Sequence, residues 1–277
     1  MAVTATGEFV EAEGLRLHYL EQGSGEPVLL LHGWPTSSFL WRNMIGTLAE
    51  HNRVIALDLP GFGRSDKPLD ASYSFRFYSR VLDGFLNALQ VEGTGLAVHD
   101  LGGPVGLYWA SEHPERVRRL ALLNTLVYPR PSWAVIAFVA ACRIPGVRSW
   151  VVSPSGLKRA MRIGVADPDR LTEEAIRGVQ EPFRTAEARR ALLKAGTGLH
   201  PGGFEQIATW LASIEVPVRI VYGERDRILP DVAKTMRRVS SDVDAVEVTA
   251  LPDCGHFLQE ERPAEIARML SEFFRSD

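Results

Sequence analysis

Six short runs of nearly unbroken apolar residues recur along the chain: PVLLLHG, RVIALDL, GLAVHD, RLALLNT, VRIVYGE and AVEVTAL. A strand with one wet face alternates polar and apolar side chains, whereas a strand buried on both faces does not. The runs therefore predict a mainly parallel sheet covered on both sides. Helical patterns between several of them supply the covers. In SFRFYSRVLDGFLNALQ the residues Phe77, Val81, Leu82, Phe85 and Leu89 share one face. PAEIARMLSEFF opens with Pro263 in a first-turn position and turns Ile266, Met269, Leu270 and Phe273 inward. Strand and helix alternate, so the class is α/β, a mostly parallel twisted sheet flanked by helices. The opening EFVEAEGLRLHYLEQG reads instead as a hairpin, giving the sheet an antiparallel edge.

Alternation stops between Val127 and Gln206. That stretch is helical in pattern, broken at IPGV, SPSG, DPD and HPGG, with no buried strand. The expected organisation is a core of residues 1–126 and 207–277 with a helical cap over 127–206. Such an insertion lies above the carboxyl ends of the strands, where open α/β sheets bind ligands. The formal charge of -3 comes without a basic tail or acidic block. It argues against nucleic acid and anionic membrane as partners and leaves a small-molecule substrate and water. No charged n-region precedes an apolar core at the amino terminus, which predicts a cytoplasmic protein. The longest apolar stretch, WAVIAFVAAC, is about half the length that spans a bilayer. Cys142 and Cys254 have no metal-ligand spacing, so neither metal nor cofactor is expected. Nothing in the sequence sets the oligomeric state.

Four chemistry-bearing segments converge on the same edge of the sheet: HGWP with Trp34, HDLGG with Asp100, GERD with Asp226 and CGHF with His256. Each directly follows a strand-like run. The last three run in the order nucleophile, acid, histidine, as expected of an α/β hydrolase. No GxSxG occurs, and SPSG in the insertion follows no strand. Asp100 stands at the elbow instead. A carboxylate there can displace a leaving group from saturated carbon and form an alkyl ester. His256, oriented by Asp226, would then activate water against that ester. Backbone N–H groups of Trp34 and Leu101 are the candidate oxyanion donors. Glu224 and Asp253 lie near Asp226 in the chain and are its rivals as the acid.

HGWPTSSFLWRNM, DLPGFGRSDKP, HDLGG and GHFLQEERP together resemble the haloalkane dehalogenases of the α/β-hydrolase superfamily, with epoxide hydrolases as near relatives. The resemblance runs from about Leu15 to Thr125 and again from Val216 to Phe274. It implies an α/β-hydrolase fold with an inserted helical cap, Asp100 as nucleophile, His256 as base and Asp226 as acid. Asn124 stands where some members place a catalytic glutamate, which leaves the acid to Asp226. Members that release halide usually carry tryptophan after the nucleophile, where this chain has Leu101, a residue with no donor. Trp34, Trp133 and Trp150 are the candidate leaving-group donors in its stead. Epoxide hydrolases use a pair of cap tyrosines, and Tyr128 is the only tyrosine between residues 127 and 206. Epoxide or β-lactone opening is the alternative activity, and a non-catalytic ligand receptor the alternative of another class.

Blander roles fit several residues. His32 and His99 read as buried supports of their loops. Trp133 and Trp150 also fit simple packing, and Trp133, Ile136, Ala137 and Ala140 share a helical face that could line an apolar pocket.

Overall fold

The computed structural model describes residues 6–130 and 132–275; the outermost positions of the expected core (1–5, 276 and 277) and Pro131 of the expected cap lie outside the described residues. The strands are β1 (Thr6–Ala12), β2 (Leu15–Gln22), β3 (Glu26–Leu31), β4 (Asn52–Leu57), β5 (Thr94–Asp100), β6 (Val117–Thr125), β7 (Val218–Gly223) and β8 (Val246–Leu251). They form one sheet in the order β1-β2-β4-β3-β5-β6-β7-β8. The β1–β2 and β2–β4 pairs are antiparallel, and every other pair is parallel. The antiparallel edge and the parallel interior both follow the sequence expectation. Central strands read as unbroken apolar runs because both faces are covered, and every residue of β5 is buried. At the edge, Val248 of β8 is exposed, since one side of that strand has no cover.

Covering helices of the core are α1 (Ile45–Leu48), α2 (Phe75–Ala88) and α3 (Gly102–Glu112). The insertion follows with α4 (Trp133–Ala141), α5 (Pro145–Val151), α6 (Pro154–Gly164), α7 (Glu173–Gln180), α8 (Ala186–Thr197) and α9 (Gly202–Leu211). The chain closes with α10 (Val232–Asp242), α11 (Leu258–Glu261) and α12 (Pro263–Phe274). In α2 the buried stripe is Phe75, Tyr78, Val81, Leu82, Phe85 and Leu86, so Phe77 and Leu89 sit at its margin. Short polar residues start the insertion helices. Ser153, Thr172 and Thr185 each accept a backbone N–H two or three residues into α6, α7 and α8. Each such cap contributes about 1 kcal/mol. The boundary expected at residue 206 falls inside α9. That helix packs on α3.

One buried charge organises the loops beneath the site. Asp58, directly after β4, accepts from Ser38 N at 2.7 Å, Arg64 N at 2.7 Å and His18 Nδ1 at 2.8 Å. Gly63 makes this possible, because a Cβ there would stand 2.0 Å from Asp58 Oδ2. Burial pushes the Asp58 carboxyl up, but its hydrogen bond to His18, the attraction of that ring and the Arg64 N–H outweigh that and hold it at about 2. Its folded value lies below the usual 3.8, so its contribution is present above about pH 4 and lost as the pH falls toward 2. That contribution is about 2 kcal/mol. Urea titrations between pH 5 and 2 are expected to show this loss. Asp58→Asn is expected to lower stability at pH 7 and to flatten the acid limb, and an unchanged limb would assign the acid sensitivity elsewhere.

Candidate active site

The turn from β5 into α3 puts Asp100 in the left-handed region at φ +48°, an unfavourable conformation for a residue with a Cβ. Its carbonyl accepts from Thr125 Oγ1 at 2.6 Å. Glycines surround it because nothing larger fits. A Cβ on Gly33 would lie 2.3 Å from the Asp100 side chain, one on Gly102 would lie 2.5 Å from the His32 carbonyl, and one on Gly103 would meet Thr125 Oγ1. Removing these side chains lets two backbone N–H groups reach one carboxylate. Trp34 N donates to Asp100 Oδ1 at 2.7 Å, and the Leu101 N–H also donates to this carboxylate.

The loop bearing Trp34 is fixed from behind by His32. Its Nδ1 donates to Gly33 O at 3.0 Å and its Nε2 accepts from Leu59 N at 3.1 Å. Both ring nitrogens are thus engaged, and burial lowers its pKa, so His32 is a neutral brace. His99 is also fully buried, and its Nε2 donates to the His256 carbonyl at 3.0 Å.

His256 lies between two acids. Nδ1 donates to Asp226 Oδ2 at 2.8 Å, while Nε2 faces Asp100 Oδ2 at 3.5 Å without another partner. Glu224 and Asp253, the rival acids, are exposed, and Asp253 pairs with Arg225 and Arg262 on the surface. Asp226 Oδ1 accepts from Ile228 N at 2.8 Å and Leu229 N at 2.7 Å; its Oδ2 also takes Asn124 Nδ2 at 2.7 Å. Burial raises the Asp226 pKa, but the His256 charge and these donors reverse that and leave it below the usual value. For Asp100 burial prevails over His256 and the two backbone donors, and its pKa is raised. Burial disfavours charge on His256, but the attraction and hydrogen bond of Asp226 and the charge of Asp100 raise it. Two acids in one pocket are thereby pushed in opposite directions, which is how environment separates the roles of identical groups.

Sequence reasoning gave no role to Asn124 beyond its place in the chain. Its φ of +33° and its bonds to Asp226, to Gly255 O at 3.2 Å and from Gly223 N at 2.9 Å make it a brace for the acid. Glu261, inside the GHFLQEERP motif, was also missed. It accepts from Gly255 N, Ala166 N and Asp167 N, tying the histidine loop to the insertion.

Asp100 opens into a cavity of about 390 Å³ between the strand ends and helices α4, α5, α6 and α8. The walls are mostly apolar, including Leu101, Phe138, Ile163, Leu229 and Phe257. Trp34 and Trp150 line it, and the Trp34 indole Nε1 is buried against Gly196 with no hydrogen-bond partner. Trp133 does not reach it and is 67% exposed. The face expected to line the pocket (Trp133, Ile136, Ala137, Ala140) in fact points largely outward, and Ala134, Val135, Phe138 and Ala141 line the cavity together with Ala137. The helix WAVIAFVAA is apolar all round, so periodicity could not orient it. Arg159 and Arg227 also line the cavity, without an ion-pair partner among the described residues. Nothing in the sequence marked either of them. Among the described residues no group of His, Cys, Asp and Glu is placed to hold a metal.

A buried carboxylate facing a histidine that is held by a second acid, at the rim of an apolar cavity, is an arrangement able to support displacement followed by hydrolysis. Comparison with known proteins agrees at the level of family. The α/beta hydrolase fold family model matches residues 26–263. A haloalkane dehalogenase of Agrobacterium fabrum is 33% identical over 94% of this chain and 89% of its own length. A cis-3-alkyl-4-alkyloxetan-2-one decarboxylase of Shewanella oneidensis is 29% identical over 96% and 87%. The crystal structure of a haloalkane dehalogenase from Agrobacterium tumefaciens superposes with a TM-score of 0.85 at 30% identity, covering 98% of this chain and 96% of that one. The chain belongs to the α/β-hydrolase fold family, and within it is similar to the haloalkane dehalogenases.

Proposed function

We propose that this protein hydrolyses small to medium, neutral, apolar substrates through an alkyl ester on Asp100, in the manner of a haloalkane dehalogenase. The observation that carries the reading is the unlike surroundings of the two Asp100 oxygens. Oδ1 is held by Trp34 N–H, Oδ2 faces His256, and the Leu101 N–H donates to the same carboxylate. Oδ2 attacks the saturated carbon in line with the leaving group, forming the O–C bond as the C–halogen bond breaks. The products are the ester and a halide ion. A water then loses a proton to His256 Nε2 and adds to Asp100 Cγ, and the developing oxyanion at Oδ1 is held by the same two N–H groups. Collapse expels the alcohol, which takes up the proton, and leaves one water oxygen in the aspartate. The insertion acts as the cap that keeps the cavity apolar.

The departing halide needs a donor that Leu101 cannot supply. The unpartnered Trp34 indole N–H, in the wall beside Asp100, is the assigned donor. Epoxide opening fits less well, because Tyr128 is bonded to Asp242 at 2.7 Å and no tyrosine lines the cavity among the described residues. Opening of a strained β-lactone is favoured by a different observation. Arg159 and Arg227 suit the carboxylate that leaves when a lactone opens at its alkyl carbon. A pure ligand receptor would have no use for the braced acid and histidine.

His256→Gln treated with a panel of bromoalkanes is expected to accumulate a stable adduct of the alkyl mass on Asp100, read by intact mass and peptide mapping. A chain that stays unmodified would overturn the covalent route, and modification by a dialkyl β-lactone alone would move the assignment to the second reading. Trp34→Phe keeps the ring and removes the donor. It is expected to lower kcat/KM for a bromoalkane by about 10²-fold, or about 3 kcal/mol. Esterification also removes the Asp100 charge, one of the influences that raise the His256 pKa. Asp100→Asn imitates that loss, so the His256 imidazole is expected to titrate at lower pH than in the wild type by NMR. An unchanged titration would mean that burial and Asp226 alone govern the base.

A further inference from the structure

The outer surface of the insertion carries a second feature, independent of the chemistry below it. Trp133, Ile136, Ile144 and Trp150 are 67%, 57%, 55% and 52% exposed, and Val147 stands between the last two. They come from the outward side of α4, the joint after it and α5. No single helix among the described residues is long and apolar enough to cross a bilayer, and α4 and α5 meet at a bend of 112°. Together they present two indoles and three aliphatic side chains outward.

The segment that carries this ridge holds charge of one sign only. Six of the chain's 31 cations and none of its 34 acids lie between Val127 and Ala166, +6 against -3 for the whole chain, which leaves the rest (25 cations, 34 acids) at -9. Lys158 is paired with Glu173, but Arg130, Arg143, Arg148, Arg159 and Arg162 have no ion-pair partner among the described residues. Beside α5 a groove of about 820 Å³ is lined by Arg148, Arg189, Arg190 and Lys194. Arg189 and Lys194 are held there by backbone carbonyls and Arg190 by Glu187. The overall negative charge, which argued against an anionic membrane, conceals this local reversal.

Exposed indoles, aliphatic side chains and free guanidiniums on helices lying flat are the chemistry of contact with an anionic lipid surface. A protein partner could cover the apolar ridge, but the unpaired arginines select an occupant rich in phosphate. We infer that the α4–α5 face of the insertion docks on an anionic bilayer, with Trp133, Ile136 and Ile144 among the acyl chains and Arg143 and Arg148 at the headgroup phosphates. Trp150 and Ala137 belong to both this face and the cavity wall, so docking sets the cavity against the lipid phase.

The test is co-sedimentation of the full chain with vesicles of equal parts phosphatidylcholine and phosphatidylglycerol, alongside vesicles of phosphatidylcholine alone. The protein is expected to pellet with the anionic vesicles with a blue shift in tryptophan emission, to bind weakly to the neutral ones, and to be released by salt. Trp133→Asp combined with Ile144→Asp is expected to abolish pelleting. Arg143→Ala combined with Arg148→Ala is expected to weaken partitioning by about 25-fold, about fivefold for each charge. Circular dichroism and Tm of both variants are expected to match the wild type. Absence of pelleting with anionic vesicles, or pelleting that neither variant changes, would overturn the inference. So would a dimer in light scattering that Ile144→Asp converts to monomer, because a second copy would then own the face.

Discussion

A carboxylate is buried at the carboxyl edge of this sheet, and the approach of two backbone N–H groups to it governs the surrounding structure. Backbone can come that close only where side chains are missing, hence Gly33, Gly102 and Gly103 on three sides of Asp100. The chain must also reverse direction within one residue, and Asp100 takes a positive φ to do so. A non-glycine residue held there costs on the order of 1–2 kcal/mol. An uncompensated buried carboxylate would cost several more. Hydrogen bonds from Trp34 and Leu101, with His256 opposite, offset the second cost. The bond from Thr125 to the Asp100 carbonyl fixes the turn against the first.

The same reasoning extends outward through three further carboxylates. Asp58 ties the loop after β4 to Ser38 and His18, and that loop supplies the Leu59 N–H that fixes the His32 ring. His32 in turn holds the Gly33 carbonyl beside Trp34. Asp226 is fixed by four donors and Glu261 by three, so the histidine loop has no freedom to drift from Asp100. Between them, Asp58, Asp226 and Glu261 fix the loops on either side of the elbow. Their donors are mainly backbone N–H groups at loop positions, which is why the loops keep their shape without regular structure.

These features differ in how far they could be read from residues alone. The parallel interior was legible because burial on both faces leaves an unbroken apolar run, and LAVHDLGG announced a sharp turn by its glycine pair. Asp226 was separable from Glu224 and Asp253 only in space, where it is buried and they are exposed. The brace from Asn124 depends on a backbone twist that no pattern signals. Expectations failed most clearly in the insertion. Trp133 was a candidate for the pocket and lies on the surface, since a helix apolar on every side carries no record of which side faces in. Arg159 and Arg227 escaped notice because charged residues in helices and loops are ordinarily solvated.

That failure has a physical meaning of its own. A helix covered on one side by a cavity and on the other by water would normally be amphipathic, because exposed apolar area gives no stability. Helix α4 keeps apolar side chains on both sides, and next to it the joint adds Ile144 and α5 adds Val147 and Trp150. Its inner side answers to the cavity, where Phe138 packs edge-on against Trp34 at 4.8 Å between ring centres. Its outer side, with Trp133 and Ile136 exposed, has no cover among the described residues. Packing inside the molecule therefore accounts for half of this helix, and the chemistry of the other half belongs to whatever lies beyond the surface. The rigid sheet edge fixes the reacting groups, while this thin apolar wall separates them from the outside. The cavity above Asp100 is walled on this side by α4, α5 and α6.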